Sequence, residues 1–339
     1  MANGEVFGTA SDGKPVQRLS IAAGGLSANI ITWGAVVQDL RLADHDAPLV
    51  LGFERFEDYL ASPGYFGAIV GRHANRIRDG RFMLDGKRFQ IDQDKPGTHG
   101  LHGGSEGYFN RIWDVIENGR DFVTLGLRDL DGSMGFPGTL DARCTYRIKG
   151  SGSLSIELTA TSDEPTLCNL AQHSYFNLDN GGSGEILDHR LMLAAAAYLP
   201  VDEKLIPTGV VQPVNGTPFD FRQARPLRAL NGETQVDYDN NFCLAAARGA
   251  LKQAAWMQGA ASGVEMEVWT SEPGIQLYIG QYVAPEAKGL GGRRYKAYSG
   301  LCLEAQTWPD SPNRPYFPQA VLRPGETYRQ VTEYRFRAG

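Results

Sequence analysis

Cysteine is scarce in this chain of 339 residues, which contains only four. They lie far apart and each has apolar neighbours: Cys144, Cys168, Cys243 and Cys302. This spacing provides neither the paired ligands of a zinc site nor the cysteine density of a small secreted domain. The sequence therefore predicts free, buried thiols in a reducing compartment.

Long apolar runs are missing as well. No stretch approaches the roughly 20 apolar residues that a membrane-spanning helix requires. Residues 1–5 contain no basic segment leading into an apolar one. We therefore expect no signal peptide, no membrane partner and a cytoplasmic location.

Positive charge is in the minority, with 33 Lys and Arg against 39 Asp and Glu and a formal net charge of -6. Nucleic-acid binding depends on clustered Lys and Arg that neutralise phosphates. Only residues 288–296 contain such a cluster, and a charged segment of this kind is typical of a solvated loop. The composition therefore argues against a nucleic-acid partner.

What the sequence does have is a hydrophobic pattern with a period of two. Apolar and polar residues alternate at 144–148 and again at 154–158, on either side of a Gly-Ser-Gly turn. Asp85 and Gly86 separate two further runs of this kind, which is the signature of a β-hairpin. Gly34 interrupts the β-rich residues 26–42 and predicts a bulge or a close backbone approach.

Helix signals are few. One short helical turn is expected near residues 54–60. Residues 245–256 are rich in alanine, but Gly249 interrupts them and strand-like runs flank them, so we expect no helix there. No repeat, linker or change in composition marks a domain boundary. The pattern therefore predicts a single all-β domain over residues 1–339, with strands packed in layers.

Three residues are candidates for chemistry. Glu304 lies in an apolar, strand-like run, where an unpaired carboxylate is costly. His173 is surrounded by residues that pack or form hydrogen bonds, and Asp239 precedes another apolar run. A carboxylate with a histidine can act as general base and general acid, two carboxylates can form a glycosidase pair, and polar and aromatic residues can form a passive sugar-binding surface. The residues alone leave these alternatives open.

Two further classes of site are not expected. No Gly-x-Ser-x-Gly elbow is present, which argues against a hydrolase triad. His99 and His102 lie three residues apart in a glycine-rich loop. No Asp, Glu or Cys lies near enough in sequence to complete a metal-ligand set, so we expect no metal there.

Several longer stretches occur together along nearly the whole chain. They are Tyr65-Phe66-Gly67-Ala68-Ile69-Val70-Gly71-Arg72, Ala74-Asn75-Arg76-Ile77, Leu101-His102-Gly103-Gly104, Asn169-Leu170, His173-Ser174-Tyr175-Phe176-Asn177-Leu178, Tyr238-Asp239, Asn241-Phe242, Glu272-Pro273-Gly274-Ile275-Gln276, Glu304-Ala305-Gln306-Thr307-Trp308-Pro309-Asp310 and Pro315-Tyr316-Phe317-Pro318. In this order and combination, the chain resembles the aldose 1-epimerase (galactose mutarotase) family.

The resemblance implies a large antiparallel β-sandwich, the galactose mutarotase-like supersandwich, with few short helices and an open sugar cleft. It implies no metal and no organic cofactor. Position by position, Glu304 matches the family's general base, His173 its general acid and His102 its second active-site histidine. The residues that match the polar groups holding the sugar hydroxyls are Asn75, Arg76, Asp239 and Gln276.

The expected reaction is the interconversion of the α and β anomers of a free aldose by ring opening and reclosure. A carboxylate near His173 should raise the pKa of the imidazole and keep it protonated near neutrality. The same acid/base pair could instead isomerise an aldono-1,5-lactone to its 1,4-lactone, which is the alternative we retain. The expected partner is thus a small sugar or sugar lactone, bound by a monomer or homodimer.

The chain also departs from the residues that are usual in the family. All the departures neighbour expected cleft residues, so they bear on the substrate more than on the fold: His73, Asn240, Leu277, Gln281 and Ala305.

Overall fold

The computed structural model describes residues 4–62, 64–93 and 97–339. Residues 1–3, part of the segment in which we expect no signal peptide, lie outside this range. Within the described residues, no helix is both long and apolar enough to cross a membrane.

Strands dominate the described chain. In order they are β1 (Glu5–Thr9), β2 (Pro15–Ala23), β3 (Leu26–Ile31), β4 (Val36–Leu42), β5 (Ile69–Val70), β6 (Arg76–Ile77), β7 (Arg81–Leu84), β8 (Lys87–Gln90), β9 (Gly100–Leu101), β10 (Asp114–Asn118), β11 (Phe122–Asp129), β12 (Leu140–Lys149), β13 (Ser153–Ser162), β14 (Thr166–Leu167), β15 (Ala171–Gln172), β16 (Tyr175–Phe176), β17 (Arg190–Leu193), β18 (Ala197–Tyr198), β19 (Gln212–Pro213), β20 (Arg225–Pro226), β21 (Leu230–Asn231), β22 (Thr234–Gln235), β23 (Asp239–Cys243), β24 (Lys252–Gln258), β25 (Glu265–Thr270), β26 (Gly274–Tyr278), β27 (Leu301–Gln306), β28 (Val321–Leu322) and β29 (Tyr328–Arg337).

Helical structure is short. The α-helix α1 spans Phe56–Ala61, with Glu57 and Asp58 in its first turn, where acidic side chains complement the helix dipole. The 3₁₀ turns are Arg78–Gly80, Tyr108–Asn110, Ser133–Gly135, Leu290–Gly292 and Ser311–Asn313.

Three antiparallel sheets build the fold. The largest has nine strands in the order β10-β11-β12-β13-β29-β25-β24-β17-β20. A six-stranded sheet has the order β16-β27-β26-β23-β18-β19, and a four-stranded sheet runs β1-β2-β3-β4. Short two-stranded pairs join further segments of the chain, among them β15 with β5 and β6 with β9.

The main apolar core lies between the sheets. It combines inward-facing residues of the nine-stranded sheet, such as Ile156 and Tyr334, with residues of the six-stranded sheet, such as Leu303 and Phe242. The Tyr334 hydroxyl also donates a hydrogen bond to the Leu303 carbonyl at 3.2 Å. Because alternate residues on each strand enter this shared layer, the arrangement is a β-sandwich. The predicted fold class is confirmed.

The local predictions from alternation are also confirmed. Arg81–Leu84 and Lys87–Gln90 form the expected hairpin, and Leu140–Lys149 pairs with Ser153–Ser162 through the Gly-Ser-Gly turn. The alanine-rich residues 245–256 contain no helix, and residues 252–256 lie in β24. Gly34 has a φ of 62°, and a Cβ there would lie 2.6 Å from the carbonyl oxygen of Phe109, which explains the need for glycine.

Candidate active site

Glu304 lies on β27, inside the six-stranded sheet. Its Cα is opposite Gln276 on β26, and Gln276 is opposite Asn241 on β23. Neighbouring strands therefore surround the carboxyl group, which is only 2% exposed. Its Oε2 has no hydrogen-bond partner among the described residues. A buried carboxyl oxygen without a partner is costly, which marks this position as one adapted to a ligand.

His173 follows β15 and precedes β16, so two short strands fix its backbone. Its amide donates to the Ala68 carbonyl at 2.8 Å, and its carbonyl accepts from the Gly67 amide at 3.0 Å. The imidazole Nε2 lies 3.7 Å from Oε1 of Glu304, and Nδ1 lies 3.5 Å from Sγ of Cys302. The structure thus brings together two groups that are 131 positions apart in sequence.

His102 and Asn75 form a second pair of loop residues beside the first. Both have left-handed backbones, with φ values of 51° and 60°. Pairing of β6 with β9 brings their loops together. The Asn75 amide donates to Nδ1 of His102 at 3.2 Å, and the His102 amide donates to the Asn75 carbonyl at 3.1 Å. The His102 ring lies edge-on to His173, with 5.3 Å between the ring centroids.

Arg76, Asp239 and Gln276 supply the remaining predicted polar groups. Arg76 and Asp239 line the same cleft as Glu304 and His173. Gln276 does not line it. Its Nε2 donates to Oδ1 of Asp239 at 2.6 Å, so its contact with the cleft is indirect. Gln276 therefore orients Asp239 in this structure.

These residues line a cleft with a volume of about 300 Å³. Aromatic rings make up much of its wall, and sequence reasoning did not single them out as site residues: Tyr65, Phe66, Tyr175, Tyr278 and Tyr282. Three of them, Tyr65, Phe66 and Tyr175, lie within the stretches that carried the family resemblance, but nothing in the sequence pattern indicated that their rings face a cavity. Aromatic walls with a few convergent polar groups are typical of small-molecule sites.

Burial sets the protonation of the central pair. Burial, with the nearby Asp239 charge, raises the pKa of Glu304 to about 8. Burial lowers the pKa of His173 to about 4. The expectation that a neighbouring carboxylate keeps His173 protonated near neutrality is therefore wrong, because loss of solvent dominates the shift of His173 and the neighbouring carboxyl group is itself protonated at that pH. Between the two pKa values, about 4 and about 8, the pair holds one proton, and that proton resides on Glu304.

The cleft contains a set of groups that resembles a metal site. The ligand atoms of His102, His173 and Glu304 all lie within 4.8 Å of one another. However, Nδ1 of His102 accepts the Asn75 amide hydrogen, so the neutral ring carries its own hydrogen on Nε2. Burial lowers the pKa of His102 well below its ordinary value, which keeps the ring in this neutral form. A nitrogen that carries hydrogen cannot bind a metal, so this donor set does not fit one.

His99 lies apart from the cleft lining. Its Nδ1 accepts a hydrogen bond from the Asp79 amide at 2.8 Å, which gives the ring a structural role in the loop. The five departures from the usual family residues are also absent from the cleft lining within the described chain. Leu277 and Ala305 face the opposite side of their strands and are buried, and the Asn240 amide donates to the Leu199 carbonyl. These five positions thus neighbour cleft residues in the sequence, as expected, without lining the cleft themselves.

A carboxyl and an imidazole 3.7 Å apart, in a cleft with hydrogen-bonding side chains and aromatic walls, define a proton-transferring enzyme for a small polar substrate on a β-sandwich. The sequence model of the aldose 1-epimerase family matches residues 17–335. The chain belongs to this family.

Individual relatives agree with that assignment. A galactose mutarotase of Mus musculus is 43% identical over 98% of this chain and 97% of its own length. An aldose 1-epimerase of Escherichia coli (strain K12) is 36% identical, with 97% of each chain covered. Among solved structures, an aldose epimerase homologue from C. elegans is 32% identical with a TM-score of 0.89, covering 95% of this chain and 99% of its own. The chain is an isomerase of the aldose 1-epimerase type.

Proposed function

We propose that this chain interconverts the α and β anomers of a free aldose, with Glu304 as the general base and His173 as the general acid. The observation that supports this best is the pair itself, with Nε2 of His173 3.7 Å from Oε1 of Glu304 and both groups open to the cleft. A hemiacetal ring opens when a proton leaves O1 while another is delivered to the ring oxygen. One base and one acid are sufficient for both transfers.

The single proton of the pair provides the required starting state. The pKa values of the two groups assign it to Glu304. Its transfer to Nε2 of His173 creates a carboxylate and an imidazolium without a change in total charge. A bound sugar favours this transfer, because the O1 hydroxyl donates a hydrogen bond to the carboxylate and hydrogen bonds to the charged form stabilise that form.

Each step then balances. Glu304 takes the O1 proton as the C1–O5 bond breaks, and His173 gives its proton to O5. C1 becomes the planar carbon of an aldehyde, and rotation about C1–C2 exposes its other face. Reclosure returns the proton from the O5 hydroxyl to His173 and the proton of Glu304 to O1. The enzyme ends with the protonation with which it began.

The other polar groups are suited to hold sugar hydroxyls. Asp239 accepts hydrogen bonds, Arg76 and the Nε2–H of His102 donate them, and Asn75 can do both. Each hydroxyl removed from water without a partner costs free energy, which explains why several such groups converge on one cleft. We assign Gln276 a supporting role through its hydrogen bond to Asp239.

Polarimetry tests the proposal directly. Freshly dissolved α-D-galactose, α-D-glucose and a set of L- and 6-deoxy sugars should be compared with and without the protein. We expect at least one of them to reach anomeric equilibrium faster in the presence of protein. The name of the Mus musculus relative makes α-D-galactose the first choice. If every sugar equilibrates at the rate of buffer alone, the proposal is wrong.

The lactone alternative stays a prediction. It would be tested by following aldono-1,5-lactones by NMR in the presence of the protein, where formation of 1,4-lactone would support it. The monomeric or homodimeric state and the cytoplasmic location also stay predictions.

A further inference from the structure

One face of β27 contacts both ring nitrogens of His173. Cys302 and Glu304 are two residues apart on this strand, so their side chains point to the same side. Glu304 approaches Nε2, and the Cys302 sulfur lies 3.5 Å from Nδ1. The strand that provides the carboxyl group therefore also provides the neighbour of the opposite ring nitrogen.

The proposed reaction needs a defined tautomer of His173. Nε2 must accept a proton from Glu304 and pass it to the sugar, so in the neutral ring Nε2 must have its lone pair free. The ring hydrogen must then stay on Nδ1 throughout. The hydrogen bond made by one imidazole nitrogen decides which nitrogen carries the hydrogen.

We propose that Cys302 is a positioning residue that accepts the Nδ1–H of His173 and so reserves Nε2 for proton transfer. This inference rests on the proposed function, which it extends. The Cys302 side chain is completely buried, so water cannot replace the sulfur as the acceptor. Burial and the nearby carboxyl groups raise the pKa of this thiol well above its ordinary value, so the sulfur stays uncharged.

An uncharged acceptor suits the chemistry. A carboxylate at this position would favour the imidazolium and make it a weaker acid. Sulfur is only a weak acceptor, so it orients the ring without holding the second proton. The imidazolium formed during turnover is thus a strong acid, as protonation of a weakly basic ring oxygen requires. The competing acceptor is the backbone carbonyl of His173 itself, which also favours a proton on the ring.

NMR of protein labelled with ¹⁵N-histidine tests the tautomer without any substitution at Cys302. The chain has six histidines, and the His173 signals are identified by their loss in His173→Asn. At pH 7.5 we expect Nδ1 of His173 to show the shift of a protonated nitrogen and Nε2 that of an unprotonated one. The opposite pattern in the wild-type protein would overturn the proposal.

Substitutions of Cys302 then test whether its sulfur fixes the tautomer of His173. Cys302→Ala should spread the ring hydrogen over both nitrogens and lower kcat by roughly tenfold or more, since the wrong tautomer cannot act as the acid. Cys302→Ser, whose hydroxyl also accepts, should retain the tautomer and most of kcat. Cys144→Ala makes the same change at an equally buried cysteine of the nine-stranded sheet and should alter neither.

Two outcomes separate this inference from the proposed function. If Cys302→Ala keeps both the tautomer and kcat, the backbone carbonyl is sufficient and the role of Cys302 is refuted while the enzyme remains active. If the wild-type protein does not accelerate mutarotation, the proposed function fails, and the tautomer measurement still reports on the contact itself.

Discussion

Glu304 and His173 carry opposite pKa displacements with one cause. Each is removed from water, and loss of water disfavours the charged form of both groups. The sequence could not reveal these pKa displacements. The apolar neighbours of Glu304 indicate that its strand is buried, but they do not indicate how deeply His173 is buried. An expectation based on the charges alone therefore gave the wrong resting state for His173.

Stability should depend on pH through Glu304. Its pKa in the folded chain, about 8, exceeds the ordinary value of 4.5, so the native state binds its proton more tightly than the unfolded state. The associated stability is complete below pH 4.5 and is lost as the pH rises through 8. Glu304→Gln removes this loss. The free energy of unfolding of the variant minus that of wild type should therefore increase by about 3 kcal/mol from pH 5.5 to pH 9, as measured by urea unfolding at each pH.

Glu333 provides a control of opposite sign. It is similarly buried, but hydrogen bonds from Lys149 and Arg335 lower its pKa despite the effect of burial. Its stabilising contribution is therefore present above its unfolded pKa, and Glu333→Gln should weaken the protein at both pH values. An equal effect of Glu304→Gln on stability at pH 5.5 and pH 9 would contradict the pKa assigned to Glu304.

At the scale of elements, the site depends on strand register and on two loops. Register across β23, β26 and β27 places Asp239, Gln276 and Glu304 near one another. Alternation within each run predicted the strands, since it depends only on neighbouring residues. It could not predict which distant strands pair. Only the family resemblance therefore indicated that the predicted site residues, from Asn75 to Glu304, meet in one cleft. The contact of Cys302 with His173 and the cleft-facing orientation of the tyrosine rings were not predictable for the same reason.

Gly103 tests the importance of the loop that carries His102. Its φ is 92°, and a Cβ there would lie 1.9 Å from the carbonyl oxygen of Gly71. Because a backbone carbonyl cannot move aside cheaply, Gly103→Ala must displace the loop. We expect the mutarotation rate to fall by roughly tenfold or more, since small displacements of catalytic groups are costly. Urea unfolding should show a loss above about 1 kcal/mol.

Gly97→Ala is the matched control in the same loop. Gly97 also has a left-handed φ, 79°, but an added Cβ would meet none of the described residues within 4 Å. This variant carries only the conformational cost of alanine at positive φ, so its rate should stay near that of wild type. Equal rates for the two variants would show that the contact of Gly103 with Gly71 does not position His102.

At the scale of the whole molecule, the nine-stranded and six-stranded sheets share one apolar core. The Gln330 amide also donates to the Ala305 carbonyl at 2.8 Å, which joins the larger sheet to the strand of Glu304. The large sandwich therefore supports the back of the cleft directly. These contacts favour the predicted single domain, which a single cooperative unfolding transition would support.

The central claim is that Glu304 and His173 act together as the base and the acid. The most direct test is the polarimetric rate of anomer equilibration for the best sugar substrate, measured with wild type, Glu304→Gln and His173→Asn. We predict that each substitution lowers kcat by roughly 10²–10⁴-fold. His189→Asn, the same change at a buried histidine outside the cleft, should leave the rate nearly unchanged in folded protein. Wild-type rates in both Glu304→Gln and His173→Asn would contradict the account.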